Sequence, residues 1–427
     1  MSTLTFKDTF CSSPWIHYRV TTDGCYNFCR WQQTKWDNTR DNISNVSPTD
    51  YFHKGMDGIR TDLLNGVVVD ECKPCHEMER HGKVSGRQRQ LLKTGIELDN
   101  FDKTLLASPY YSEFDKISPK LMPVDLQVDL GNYCNSACIF CSPNSSSMLA
   151  SEFLKIGITD KLPPKSWSSD PVLINRFIDS LLATKNLKYV HFIGGETLID
   201  PAFKKILIEL INNNLTSVII GFTTNLTVWN DSINDLLSEF KGVNLGLSIE
   251  TLHSVNDYAR YPSKINDIKE KLDKWVNFAN THGWLVQLRM TPTWMTIEHL
   301  DSVFEYAYIN GITVESCNFL HRPAYMRMNV LPPNLRKLAI DNLEKWISSK
   351  EPTHSTSREV NTRNQYKSKQ TIMEDASSYL TYLKDEEYQP ELATELVEFI
   401  KKIEKNRNNS ILDYMPHYEK FLRTHGY

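Results

Sequence analysis

Three cysteines within eight residues, Cys134, Cys138 and Cys141, set the terms for this chain of 427 residues. They are spaced CxxxCxxC in Cys134-Asn135-Ser136-Ala137-Cys138-Ile139-Phe140-Cys141, after a strand-like run at 124–130 and the pair Gly131-Asn132. Thiolates are soft ligands, suited to iron–sulfur clusters or zinc. Three on one short loop hold three irons of a [4Fe–4S] cube and leave the fourth open. A structural zinc site or a fully protein-ligated cluster needs a fourth protein ligand. No cysteine follows Cys141 until Cys317. A His or a carboxylate would also serve in that place, so spacing alone leaves both readings open.

The nine cysteines fall into an N-terminal group (11, 25, 29, 72, 75), the central three and the single Cys317. The stretch Met1–Asp8 lacks the basic-then-apolar pattern of an export signal. Without export, clustered cysteines point to metal or redox chemistry rather than disulfides, and to a cytoplasmic location. No apolar run approaches the roughly 18 residues of a membrane helix. Hydrophobic content of 40% and charged content of 23% are those of a globular protein. The net charge of −4 supplies no global basic field for nucleic acid. The length predicts two or three domains.

Residues 1–90 are irregular, with a strand-like piece at 15–20 and a turn at Thr22-Asp23-Gly24. Their aliphatic core is thin, which favours stabilisation by a metal cluster. Cys11, Cys29, Cys72 and Cys75 fit one site, with Cys25 as the alternative to Cys29. Zinc held by four cysteines is the competing reading. Cys72-Lys73-Pro74-Cys75-His76 also matches the c-type haem pattern, which requires export. A thioredoxin-like CxxC needs a βαβ unit that is missing around it.

Residues 91–120 read as a linker, and the basic run Arg80, His81, Lys83, Arg87, Arg89, Lys93 as a solvated face or a contact for an acidic ligand. From 121 to 330 strands alternate with helices. Strands are predicted at 124–130, 188–193, 217–223, 243–249, 285–291 and 312–319. Helical periodicity shows in Phe203, Ile206, Leu207, Leu210, Ile211 and in Ile268, Leu272, Trp275, Val276, Ala279. Repeated βα units imply a parallel sheet with right-handed crossovers. Six units are too few for a closed eight-fold barrel. The predicted fold is therefore α/β: a partial (β/α)6 TIM-like barrel, a small irregular N-terminal iron–sulfur module, and C-terminal helices over 331–427. Residues 350–372 read as a loop.

Working residues of parallel sheets sit at the C-terminal strand ends. Here those ends carry the three-cysteine loop, Gly194-Gly195-Glu196, Thr223-Thr224-Asn225, Ser248-Ile249-Glu250, Arg289 with Thr291-Pro292-Thr293, and Ser316-Cys317-Asn318. Singly, each is as readily a turn or a helix cap. Together they form one polar rim.

With those motifs the chain resembles the radical SAM superfamily. CxxxCxxC after the first strand is that family's signature, and an aromatic residue before the third cysteine, here Phe140, is typical of it. Gly194-Gly195-Glu196 is similar to the family's GGE motif. The resemblance implies a [4Fe–4S] cluster on Cys134, Cys138 and Cys141, with S-adenosylmethionine (SAM) on the open iron. It implies that the GGE segment holds the SAM amino group, that Ser248 reaches the ribose, and that Arg260 meets the carboxylate. Asn225 and Glu250 would line the ribose side, and Arg289 joins the cofactor-binding set. The N-terminal cysteines resemble the auxiliary-cluster module called twitch, the shorter relative of SPASM, placed before the barrel instead of after it. That implies a second [4Fe–4S] cluster.

The resemblance further implies reductive SAM cleavage, with an electron donor such as flavodoxin or ferredoxin. The resulting 5′-deoxyadenosyl radical abstracts a hydrogen from a substrate. The auxiliary cluster assists electron transfer or substrate binding. A peptide or protein substrate is expected, supported by the polar N-terminal module and the C-terminal helices. The alternatives are a small-molecule dehydrogenase or epimerase of sugar or amino-acid type, RNA modification, and a non-enzymatic zinc protein. Cys317 at a strand end is a candidate hydrogen donor, a small buried core cysteine being the commoner role.

Overall fold

The structure is a computed structural model that describes residues 5–30, 32, 41–80, 84–100, 104, 123–315, 320, 322–350 and 372–427. Cys317, most of the 350–372 loop, and the linker beyond 104 up to 122 lie outside the described residues.

Eight strands form one sheet, ordered β2-β1-β3-β4-β5-β6-β7-β8. They are β1 His17–Val20, β2 Tyr26–Asn27, β3 Asp125–Asp129, β4 Tyr189–Ile193, β5 Ile219–Thr224, β6 Gly242–Ser248, β7 Leu285–Arg289 and β8 Thr313–Val314. From β1 through β8, in sheet order, each neighbour pairs in parallel. The short β2 runs antiparallel to β1. The six predicted strands are β3 to β8. The N-terminal segment adds two more: β1 lies beside β3 with Arg19 opposite Gln127.

Helices connect the strands on the outside. In chain order they are α1 Lys73–Arg80, α2 Gly86–Thr94, α3 Ser147–Lys155, α4 Pro171–Leu182, α5 Pro201–Asn212, α6 Asp231–Ser238, α7 Ile265–Thr281 and α8 Leu300–Asn310. The C-terminal helices are α9 Pro333–Ser348, α10 Ile372–Asp385 and α11 Glu391–Arg407. Helix starts follow local chemistry. Asp170 and Asp200 each accept backbone N–H bonds just before a proline at the first helical position of α4 and α5. Among the described residues no helix is long and apolar enough to cross a membrane.

The period-2 alternation of the strands sorts two environments. Residues such as Leu126, Val128, Phe192, Phe222, Leu245 and Leu288 are buried in the core. Phe192, Phe203, Phe222 and Trp275 meet in tilted and edge-on ring contacts. The alternate residues Gln127, Asp129, His191, Thr223, Asn244, Gln287 and Arg289 line a cavity of about 1160 Å³. The usual aliphatic layers of a closed barrel are thus replaced by hydrogen-bonding groups. Two glycines make room for them. A Cβ at Gly221 would collide with the Tyr189 hydroxyl and the His191 ring, and one at Gly246 would sit 2.6 Å from Arg289 Nε.

Candidate active site

The three-cysteine loop leaves β3 at the C-terminal rim and is pinned from several sides. Its backbone runs beside residues 259–261: Ala137 N donates to Tyr261 O at 2.8 Å and Ile139 N to Ala259 O at 3.0 Å. Ser146, which caps α3, donates to the Ser136 carbonyl at 2.6 Å. Asn225 Nδ2 donates to Asn135 Oδ1 and Ser136 Oγ, both at 3.0 Å. Cys138 is buried, and Cys134 and Cys141 are half-buried.

The paired glycines allow two loops to touch. Gly194 and Gly195 have φ of +93° and +37°, and a Cβ on either would collide with the carbonyl of Gly131 or of Tyr133. They let the β4 loop press against the cysteine loop, where Glu196 N donates to Tyr133 O at 2.8 Å. Both glycines also line the cavity.

Glu196 is buried, and its oxygens accept from the backbone amides of Leu198 at 3.1 Å and Asn225 at 2.6 Å. Its carboxylate therefore braces β4 against β5. Burial pushes its pKa up to about 7, against those amide donors. Glu250 is fully buried and pairs with Arg260 at two points, with Nη2 to Oε1 at 2.8 Å. The other guanidinium nitrogen of Arg260 lies 3.8 Å from Cys138 Sγ. Its carbon stands 5.6 Å from the centre of the Phe140 ring. Burial opposes the Arg260 charge, and Glu250 and Cys138 more than restore it.

Ser248, Arg260, Asn225, Phe140 and the three cysteines face one cavity, which extends into the barrel to Arg289. Arg289 Nε lies 3.3 Å from Glu315 Oε2. The sequence reading overlooked several wall residues. Arg19 forms a buried pair with Asp129, with Nε to Oδ1 at 3.0 Å. His191 takes a 2.8 Å hydrogen bond with the Tyr189 hydroxyl. Arg30 reaches the same wall from the N-terminal segment, as do Arg89 and Lys93 of the basic run already singled out as a contact for an acidic ligand. The alternation Asp125-Leu126-Gln127-Val128-Asp129 was the signal for this polar lining, and it was read only as a strand.

Residues 128–310 match the family model described as the Radical SAM superfamily. No curated protein matches the chain. Among solved structures, anSMEcpe with bound AdoMet is 18% identical, with 53% of this chain and 61% of that one covered and a TM-score of 0.38. SuiB from Streptococcus suis bound to S-adenosylmethionine is 18% identical over 73% of this chain and 67% of its own, with a TM-score of 0.37. SuiB bound to the precursor peptide SuiA is 17% identical over 79% and 70%, also with a TM-score of 0.37. This chain spans about 61% of the length of the anSMEcpe structure. At TM-scores below 0.5 the likeness sets neither activity nor substrate.

The match over residues 128–310 makes a [4Fe–4S] cluster and SAM the groups to test against the residues present. The donor set fits the cluster. Burial pushes the thiols of Cys134 and Cys141 up to about 12, and Cys138 raises both further. Burial also raises Cys138, against the pull of Arg260. Buried thiols become thiolates readily when a cationic centre binds them. Ser248, Asn225 and Arg260 beside them offer hydroxyl, amide and guanidinium groups to a zwitterionic ligand.

In the N-terminal segment, Cys11 lies buried within electrostatic range of Cys29, Cys72 and Cys75. Burial raises its thiol well above the usual range, and those three raise it further. Burial pushes Cys72 up to about 12, again with Cys29 and Cys75 adding to it. Cys25 Sγ accepts from Asn42 Nδ2 at 3.4 Å. None of the eight described cysteines is in a disulfide. Among the described residues, no three His, Cys, Asp or Glu side chains converge on a single-ion site.

Proposed function

We propose that the protein is a radical SAM enzyme that abstracts a hydrogen from a peptide or protein substrate, with an auxiliary [4Fe–4S] cluster on Cys11, Cys29, Cys72 and Cys75. The single observation that carries the radical SAM part is the CxxxCxxC loop pinned beside a polar cavity within residues 128–310. Together, the cluster and SAM supply one-electron cleavage of the sulfonium bond and abstraction of hydrogen from an unreactive C–H bond.

The chain's own residues do the rest. Cys134, Cys138 and Cys141 would hold the cluster. Ser248 and Asn225 would position SAM, and Arg260, kept charged by Glu250, would meet its carboxylate. Glu196 acts through the backbone by fixing β4 to β5. The barrel wall receives the substrate and keeps competing quenchers out. Arg19 and Arg30 link the auxiliary thiols to this wall: Cys29 is among the groups acting on Arg19, whose guanidinium pairs with Asp129 and donates to the Arg30 carbonyl at 3.3 Å. That continuity supports an electron-transfer or substrate-binding role for the second cluster.

A small polar metabolite is the second reading. It is favoured by the hydrogen-bonding barrel interior around His191, Asn244 and Gln287.

The test is anaerobic reconstitution, then incubation with SAM and a strong reductant. Formation of 5′-deoxyadenosine is expected, with deuterium transferred into it from labelled peptide for the first reading and from labelled metabolite for the second. A reconstituted protein that binds only zinc and yields no 5′-deoxyadenosine rules out the enzyme reading.

A further inference from the structure

The last residue of α11, Arg407, lies beyond the segment that matches the radical SAM family, yet its side chain ends at the cluster loop. The side chain is 1% exposed. Nε and Nη2 donate to the two Glu152 oxygens at 2.9 and 2.6 Å. Nη2 also donates to the Ala137 carbonyl at 2.6 Å. The guanidinium carbon sits 4.6 Å over the Tyr261 ring. Nη1 is buried with no hydrogen-bond partner.

Ala137 immediately precedes Cys138, so Arg407 grips the loop one residue from a ligand. The Tyr261 carbonyl accepts from the N–H of the same residue, Ala137. Arg260 stands on another side of Cys138. Two buried guanidinium groups thus flank this cysteine, each with its own carboxylate. Cluster potentials respond to nearby charge, burial and hydrogen bonds to sulfur. A positive charge favours the reduced, more negative state. An orphaned N–H in a buried site also costs stability unless something accepts it.

We propose that Arg407 is a positioning residue for the CxxxCxxC cluster, holding the Ala137–Cys138 backbone in place and raising the cluster's reduction potential. This makes the C-terminal helix part of the initiation machinery. The proposal rests on the reading that Cys134, Cys138 and Cys141 hold a [4Fe–4S] cluster.

The test uses full-length, reconstituted protein in wild-type, Arg407→Lys and Arg407→Gln forms and the double variant Arg407→Gln/Glu152→Gln. The double variant leaves no buried carboxylate unpaired and so separates folding from the cluster effect. Midpoint potential is read by redox titration with electron paramagnetic resonance, and iron per chain by chemical assay. A lower midpoint is expected in Arg407→Gln and in the double variant, with Arg407→Lys retaining most of the wild-type value. Loss of cluster iron from a double variant that melts as the wild type does would equally support the proposal. An unchanged midpoint and full iron in the double variant would overturn it. Absence of a cluster in the wild type would instead overturn the reading on which it rests.

Discussion

Arg260 binds Glu250 at two points and holds its remaining nitrogen 3.8 Å from the sulfur of Cys138. One side chain thus links a wholly buried carboxylate, a cysteine of the CxxxCxxC loop and the cavity beside it. Removing Arg260 alone strands Glu250 as an unpaired buried charge. Such a loss costs about 3–5 kcal/mol. Arg260→Gln is therefore expected to lower the denaturation midpoint clearly, whereas Arg260→Gln/Glu250→Gln should recover most of it without recovering SAM affinity. Chemical denaturation and equilibrium binding of SAM check the two parts. Wild-type SAM affinity in the double variant would contradict the assigned role.

Gly195→Ala acts through backbone shape. The residue has φ of +37°, and its Cβ would meet the Tyr133 carbonyl. Strained backbone of this kind costs about 1–3 kcal/mol, and here the strain falls on the cysteine loop. The variant should retain less iron after reconstitution and cleave SAM more slowly. Iron assay and melting temperature provide the readout, and wild-type values for both would show that the loop tolerates the shift.

The auxiliary site predicts a graded iron count. About eight irons per chain are expected from two four-iron clusters. Replacing Cys11, Cys29, Cys72 or Cys75 by Ala should reduce that toward about four, because the remaining thiols hold a cluster poorly. With Cys29 as the ligand, Cys25→Ala should leave the count unchanged, and a fall in that variant would assign the place to Cys25 instead. A full count in all four single variants would remove the auxiliary site.

Glu196 predicts a pH effect with a definite sign. Burial raises its folded pKa from 4.5 to about 7. The folded state then binds more protons than the unfolded state between those values. The corresponding stability is fully present below 4.5 and is lost as pH rises through about 7. Glu196→Gln should flatten that part of the profile, measured by denaturation at a series of pH values. An unaltered slope would mean that the carboxyl titrates normally.

Much of this was readable in advance. CxxxCxxC after a strand, six βα units and the GGE segment are local patterns, and their chemistry follows from residue type and spacing. Helix caps at Asp170 and Asp200 are equally local. The polar face of the strands was present in the alternation around Gln127 and Asp129, but period 2 alone does not say which face lines a cavity. The roles of Gly194, Gly195 and Glu196 were less legible. Their partners, Tyr133 and Asn225, are brought to them only by the neighbouring strands.

The sequence by itself determined that three thiols share one short loop and that the α/β order is parallel, because both depend on short-range spacing and on the hydrophobic period. Only the tertiary structure decided which charges surround the thiols. Arg260 approaches Cys138 across 122 residues and Arg407 approaches Ala137 across 270. Tertiary structure likewise placed β1 of the N-terminal segment against β3 and brought Cys11 within electrostatic range of Cys29, Cys72 and Cys75. Burial and Coulomb interaction depend on distance in space, which chain spacing does not encode once the partners lie on different elements.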